Sequence, residues 1–444
     1  MTGSHVSRGR RIGWIVLPFG MIAQPAAAQL LQDPPTVVVP PEPPITTARS
    51  VFDRENQVPV AERMLPAFAA QGVSIGNFEL FPGLAVGSFA TSNVYADNDR
   101  RDGDLAVVVR PEATLRTSQG PYRLAVYARG DVRRYLDNRS ENTEEGLGGI
   151  QGAVMIGALS NVTAGASFGS LVQPRFAADS PVEAGKPLEY TALTGYVGST
   201  IEGAETRIIL RVDATQLEFR DTPDRSGGTI FTRDRDRTRL AGLVRVERSI
   251  SDALSVYAAG TANTIDYRFP FAGGLQRDSS GYGAYLGANF DVTNLIQGDV
   301  RVGYIRQDFD LDSVRPISGL GLLGTLTYFP SGLLTVTARA ESSVQDSGVP
   351  GTTGVLHRGG SVRGDYELRR YIMTGLEIGY FHDSYRGQNR RDKLPYAEAS
   401  AVYLSRNHWN ARVGYRFLAR DSDGENAIRN FDDHRLSATL TFQY

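Results

Sequence analysis

The sequence has no cysteine among its 444 residues and only five histidines. The lack of cysteine excludes disulfides and thiolate chemistry, and it fits an exported protein that needs neither. A formal net charge of −2 provides no surplus of Lys and Arg for binding phosphates, so we expect no nucleic-acid partner. Long apolar runs are missing too, because nothing after residue 28 approaches the ~20 apolar residues of a membrane-spanning helix. These absences exclude a helical membrane protein and a thiol enzyme.

Glycine and aromatic residues are abundant, with 48 Gly, 20 Tyr and 19 Phe. This composition favours many strands and tight turns. Only 41% of the residues are hydrophobic. A soluble protein has such a share, and so does an outer-membrane barrel, in which only alternate strand residues meet lipid.

The N-terminus predicts a signal peptide over residues 1–28. A basic stretch precedes an apolar run from Ile12 to Ile22, and the small residues ending at Ala28 suit cleavage there. Residues 29–76 then contain three Pro-Pro pairs, beginning with Pro34-Pro35. Because proline stiffens a chain and removes amide donors, this part is predicted to be a periplasmic linker or a small plug.

From residue 77 to 444 apolar and polar residues alternate with a period of two. Trp409, Val413 and Phe417 alternate with Asn410 and Arg416, for example, as in a half-buried strand. Short turns and longer polar loops connect the segments in strict alternation, which is typical of outer-membrane barrels. Nine long loops and eight short turns predict an all-β fold, a single antiparallel transmembrane barrel of about eighteen strands, with sixteen as the fallback. An even strand number places both termini in the periplasm.

Charged residues share one side of the predicted strands. On the lipid side each would cost about 2 to 4 kcal/mol at mid-depth, so we expect this side to face the lumen. The lumen-lining candidates are Arg123, Arg129, Arg133, Arg207, Arg211, Arg245, Arg301, Arg339, Arg363, Arg412, Arg416, Arg420, Asp131, Asp213, Glu247, Glu341 and Glu377, joined by Asp365 and Glu367. Two readings stay open: cross-strand ion pairs that stiffen a wet interior, and an arginine excess that favours anions, acidic sugars included.

Aromatic residues near the predicted strand ends suggest girdles at the membrane interfaces. The residues assigned to them are Tyr135, Tyr190, Phe219, Tyr267, Phe269, Tyr304, Phe309, Tyr328, Phe329, Tyr380, Tyr385 and Trp409.

Catalytic or metal chemistry finds little support. His382-Asp383 and Asp432-Asp433-His434 contain the residue types of an acid–base pair, but neighbours on a strand point to opposite faces. Asp97-Asn98-Asp99 and Asp234-Arg235-Asp236 lack the bidentate Glu of a calcium loop. We therefore predict no catalytic residue, no metal ligand and no cofactor.

Several stretches resemble the putative β-barrel porin 2 family of outer-membrane proteins. The resemblance begins at GNFELFPGL from Gly76 and continues through RDRDRTRLAGLVRVERSISDALSVYAAG from Arg233, DVTNLIQGDVRVGYIRQDF from Asp291 and YLSRNHWNARVGYRFLARDS from Tyr403. It implies a Gram-negative outer-membrane location and, since some members are encoded beside polysaccharide export machinery, a link to exopolysaccharide secretion. It also implies that the terminal Phe442 and Tyr444 are the signal read by the barrel-assembly machinery.

The expected function is a porin-like channel for the passive passage of polar or anionic solutes. In one version of this hypothesis, the channel is part of an exopolysaccharide secretion system. Expected partners are outer-membrane lipid and lipopolysaccharide, the barrel-assembly machinery, and exopolysaccharide or its export proteins. A structural or adhesive surface protein with an occluded lumen is the alternative, and an outer-membrane hydrolase is the third hypothesis.

Overall fold

The structure is a computed structural model that describes residues 50–52, 57–63, 65–117, 122–270, 276–311, 315–349, 351–406 and 408–444. The predicted signal peptide, with Ala28, and residues 29–49 of the predicted linker lie outside the described residues. Within the described part, nearly all regular structure is β-strand, and the helices are single 3₁₀ turns at Val60–Glu62, Pro66–Phe68, Arg139–Glu141 and Arg233–Arg235.

Twenty-one strands follow one another along the described chain. They are β1 Val73–Ile75, β2 Phe78–Thr91, β3 Asp104–Thr117, β4 Tyr122–Tyr135, β5 Thr143–Met155, β6 Asn161–Gln173, β7 Leu188–Glu202, β8 Thr206–Phe219, β9 Thr222–Pro223, β10 Thr229–Ile230, β11 Arg237–Ser251, β12 Leu254–Tyr267, β13 Ser279–Val292, β14 Ile296–Phe309, β15 Ile317–Ser331, β16 Leu334–Gln345, β17 Gly354–Arg369, β18 Ile372–Arg386, β19 Arg391–Leu404, β20 Trp409–Asp423 and β21 Phe431–Gln443.

Eighteen of the strands close into one antiparallel barrel, which confirms the predicted fold and strand number. Each barrel strand pairs with the next along the chain, β8 pairs with β11, and β2 pairs with β21 from Gly83 opposite Gln443 to Thr91 opposite Arg435. Of the other described strands, β1 pairs with the start of β2, and β9 with β10 in one connection. Closure gives every strand two neighbours, so that the backbone amides are bonded within the sheet.

The two rims of the barrel differ. Eight short connections form one rim, which we call the turn end, and the first falls on residues 118–121, outside the described residues. The other rim, the loop end, carries nine connections, at 92–103, 136–142, 174–187, 220–236, 268–278, 310–316, 346–353, 387–390 and 424–430. The chain enters β2 and leaves β21 at the turn end.

None of the described helices combines the length and the apolar character needed to cross a membrane.

The outer surface of the barrel is apolar, as the period of two predicts. On β18, Leu376, Ile378 and Tyr380 are 54%, 60% and 50% exposed, whereas Glu377 between them is half-buried on the inner side. Adjacent residues of a strand point to opposite faces. The exposed apolar side chains form the surface that lipid would cover.

The aromatic girdle prediction is wrong for several residues. Tyr190, Phe219, Tyr267, Phe329 and Tyr385 are at most 9% exposed and lie on the inner face. Near the loop end, connections fold inward and cover such rings, as where Val349 and Ala178 pack in the cluster that contains Tyr385. Strand ends alone therefore do not fix an interfacial role. Tyr304, Tyr328 and Tyr380 do lie exposed on the outer face.

Candidate functional site

The structure places the predicted lumen-lining residues on the inner face of the barrel strands. Arg123, Arg207, Arg245, Arg301 and Arg420 are buried there, and the others of the set stand at positions of the same parity. Most contact a carboxylate or an aromatic ring. The ion pairs include Arg133–Asp131 at 2.9 Å, Arg211–Asp213 at 2.7 Å, Arg363–Asp365 at 2.9 Å, Arg363–Glu377 at 3.3 Å and Arg412–Glu398 at 3.0 Å.

One deeply enclosed group of ion pairs is centred on Glu247, which has no exposed surface. Its carboxylate accepts hydrogen bonds from Arg207 at 2.8 Å and from the Ser255 hydroxyl, and it lies 3.0 Å from Arg245. Arg245 also donates to Asp299 at 2.9 Å. Buried charges need such partners, because a lone ion would lose its hydration without compensation.

Charge pairing changes the balance between the two readings of the arginines. Carboxylates outside the predicted set, such as Glu112, Asp299, Asp392 and Glu398, share the inner face. Their parity is the same as that of the arginines, so the signal was present in the sequence. The geometry shows cross-strand pairs such as Arg363–Glu377 and Arg412–Glu398 beside pairs within one strand such as Arg211–Asp213. An anion preference of the whole wall does not follow from it.

Histidine lies inside the barrel in a different place from the predicted pairs. His357 is fully buried, stacks on Phe381 at 4.7 Å, and bonds Asp383 at 2.5 Å through Nδ1. His382 points outward, 3.3 Å from the Ser384 hydroxyl. Adjacent His382 and Asp383 thus do not form a dyad, for the expected reason of alternating faces.

His434 bonds the Tyr415 hydroxyl at 2.7 Å and lies 3.7 Å from Asp432. The described residues hold no group of three His, Cys, Asp or Glu residues suited to a metal ion.

The connection at 174–187, which we call the crossing loop, folds into the barrel. It leaves β6, yet Phe176 packs against inward-facing residues of β18 to β21, among them Phe381, Leu418 and Phe431. Ala178 packs on the cluster of Val349, Val355 and Tyr385. Contacts with strands far around the barrel mean that the loop crosses the lumen near the loop end.

Arginine side chains hold the crossing loop in place. Arg175, in the loop, makes two hydrogen bonds to Glu141, at 2.8 and 2.7 Å. Arg429 donates to the carbonyl oxygen of Arg175 at 2.7 Å, and Arg420 donates to that of Phe176. The charge-assisted bonds from Arg420 of β20 and from Arg429 of the connection at 424–430 hold the loop from the opposite side of the barrel.

A second inward contact holds the connection at 346–353. Burial alone would raise the pKa of Asp346, but Arg237, the Tyr267 hydroxyl and Arg277 hold that pKa below its usual value. Arg237 lies 2.5 Å from the Asp346 carboxylate. The ionised Asp346 therefore anchors its loop to β11 and β12.

A cavity of about 190 Å³ lies between the crossing loop and the wall formed by β3 to β7, β20 and β21. Its lining mixes both signs of charge. The arginines are Arg110, Arg129, Arg133, Arg175, Arg416 and Arg435, and the carboxylates are Glu112, Asp131, Glu141, Glu145 and Asp433. Such walls offer donors and acceptors together, which suits polar solutes and water.

The turn end is also partly filled. We call residues 57–63 and 65–70 the inner segment. This segment contacts inward-facing strand residues on several sides of the barrel. The Val60 amide donates to Thr335 at 3.0 Å, Arg63 pairs with Glu367 at 3.3 Å, and Gln443 donates to the Phe68 carbonyl oxygen at 2.8 Å. The N-terminal chain therefore enters the barrel before it forms β1.

A family model described as Putative beta-barrel porin 2 matches residues 65–444. No curated protein matches the chain. Among solved structures, OpdK from Pseudomonas aeruginosa is 14% identical, with a TM-score of 0.44 over 82% of this chain and 99% of that one. A BenF-like porin from Pseudomonas fluorescens Pf-5 is 13% identical, with a TM-score of 0.44 and the same coverage. The FrpB iron transporter from Neisseria meningitidis is 9% identical, with a TM-score of 0.40 over 82% and 81% of the two chains. At these scores the structural likeness carries no argument about function.

Proposed function

Since the chain belongs to the Putative beta-barrel porin 2 family, and is thereby a porin-like outer-membrane β-barrel channel, we propose that it lets small polar and anionic solutes pass by diffusion. The observation that carries the proposal is the inner wall, where paired Arg and carboxylate side chains line a closed barrel around a polar cavity. Barrels of 16 to 18 strands are wide enough to leave an aqueous channel. We also propose that the turn end faces the periplasm, as short connections do in such barrels.

The size of the passing solute is limited by the crossing loop. Phe176 and its clamp occupy the lumen near the loop end, and the inner segment lies at the turn end. A small solute has to pass beside both. A long polymer has to displace both, so a role in exopolysaccharide secretion requires these two elements to move.

Planar-bilayer recording of the chain from Gln29 onward tests the proposal. We expect discrete single-channel openings, and liposomes that swell faster in small sugars than in large ones. Folded, purified protein that produces no openings and no swelling would reject passive passage.

The inner segment favours one alternative, a surface protein with an occluded lumen. Its contacts with Thr335, Glu367 and Gln443 span the turn end of the barrel. Deletion of residues 29–70 separates the two proposals. A silent full-length protein that conducts strongly after the deletion would favour the occluded state, whereas similar conductance of both would favour the open pore.

A further inference from the structure

Five arginines gather at the loop end around the crossing loop: Arg100, Arg175, Arg225, Arg420 and Arg429, which we call the mouth cluster. Arg100 and Arg225 lie over the same ring, that of Tyr95, at 4.0 and 5.5 Å from its centroid. Arg420 and Arg429 donate to the consecutive carbonyl oxygens of Phe176 and Arg175. The cluster runs from exposed (Arg100, Arg225) through half-buried (Arg429) to buried (Arg175, Arg420) positions.

Two members of the mouth cluster, Arg420 and Arg429, have buried guanidinium nitrogens without a hydrogen-bond partner. Arg420 is 2% exposed, yet its Nη1 atom has no hydrogen-bond partner, and its Nε atom has only an ion-pair contact with Asp392 at 3.6 Å. Nε and Nη1 of Arg429 are likewise buried without a partner. Buried guanidinium donors are normally satisfied, because leaving one without an acceptor costs free energy. Unused donors of this kind suit an incoming oxyanion.

Nearby carboxylates neutralise the cluster only in part. Glu141 pairs with Arg175, and Asp392, which lies 3.6 Å from Arg420, is also bonded twice by Arg390. Burial lowers the pKa of Arg429 to about 10, and the neighbouring Arg420 lowers it as well, against the opposite effect of Asp97. This region nevertheless holds the guanidinium groups of five arginines close together.

We propose that the mouth cluster binds the carboxylate groups of small organic anions on their way into the barrel, an inference that rests on the proposed channel function. Arg100 and Arg225 first meet the anion at the exposed rim. Arg429 and Arg420 then receive it with their unused N–H groups beside the crossing loop. The interior position of Arg420 makes a lipid headgroup an unsuitable ligand, because lipid lies outside the wall.

Binding and permeation are measured on the same protein. Equilibrium dialysis with citrate, at low ionic strength, uses folded protein in detergent. Planar bilayers under a gradient of potassium glucuronate then give the permeability of glucuronate relative to K⁺. The variants are Arg420→Gln and Arg429→Gln. The matched control is Arg134→Gln, since Arg134 also lies near the loop end but is exposed and pairs with Glu144.

We expect Arg420→Gln and Arg429→Gln each to weaken citrate binding about tenfold, because each removes a charge-assisted donor. Their relative permeability to glucuronate falls in parallel, while Arg134→Gln leaves both values unchanged. Absence of citrate binding to the wild type, or equal effects of all three variants, overturns the inference. Citrate binding that depends on Arg420 and Arg429 without any channel openings keeps the anion site and rejects the channel instead.

Discussion

Replacing Glu247 with Gln tests how strongly the inner charge network supports the barrel. Glu247 is fully buried between Arg207 at 2.8 Å and Arg245 at 3.0 Å. The variant preserves shape and removes the counter-charge of two guanidinium groups. Removing one partner of a buried pair costs about 3 to 5 kcal/mol.

The lower end of that range applies here, since Arg245 keeps Asp299 at 2.9 Å and Arg207 keeps its position over the Phe52 ring at 4.5 Å. We therefore expect Glu247→Gln to lower the free energy of unfolding by about 3 kcal/mol. The control is Glu205→Gln, because Glu205 and Arg248 form a pair at 3.2 Å whose side chains are both 67% exposed. Exposed pairs contribute about 0 to 1 kcal/mol.

Denaturant titration of the refolded barrel in detergent measures both variants. In a chain that starts at Gln29, Trp409 is the sole tryptophan, and its ring stacks on Tyr403 at 5.4 Å, so its fluorescence reports on barrel closure. Equal midpoints and slopes for Glu247→Gln and Glu205→Gln would refute the reasoning, since the inner network would then behave like an exposed pair.

Two further substitutions test packing and the lipid-facing surface by the same titration. Gly379→Ala is expected to destabilise by about 1 to 3 kcal/mol through overpacking, because its Cβ would lie 2.0 Å from the Tyr396 ring. Gly260→Ala, with nothing within 4 Å of its Cβ, should be neutral, and a cost equal to that of Gly379→Ala would contradict the packing. Ile378→Arg places a charge on the 60% exposed outer face of β18 and, in liposomes, should cost about 2 to 4 kcal/mol. Ile378→Leu is its control, and an Arg variant as stable as the Leu variant would argue against lipid contact there.

The barrel could be predicted from sequence because each strand carries its own signal. Alternation places Leu376 and Ile378 outside and Glu377 inside whatever the rest of the chain does. Loop and turn lengths are likewise local. Strand number and lumen-facing parity therefore follow from short windows of residues.

The interior of the barrel could not be predicted in the same way. Arg420 reaches the backbone of Phe176 across the lumen, and no local pattern connects two positions so far apart. His357 meets Asp383 because β17 and β18 pair in that register, and register is a property of two strands together. The sequence offered His382 beside Asp383 instead, and alternation separates them.

Cysteine labelling on adjacent strand positions tests most directly whether the apolar face meets lipid and the charged face meets water. The chain has no cysteine of its own, so Arg412→Cys and Val413→Cys on β20, with Glu377→Cys and Ile378→Cys on β18, each supply a single thiol. In liposomes we predict that a water-soluble maleimide reacts at 412 and 377, while 413 and 378 react only with a lipid-soluble reagent. Equal reaction at neighbouring positions, or the reverse order, would contradict a membrane-spanning barrel with an aqueous lumen.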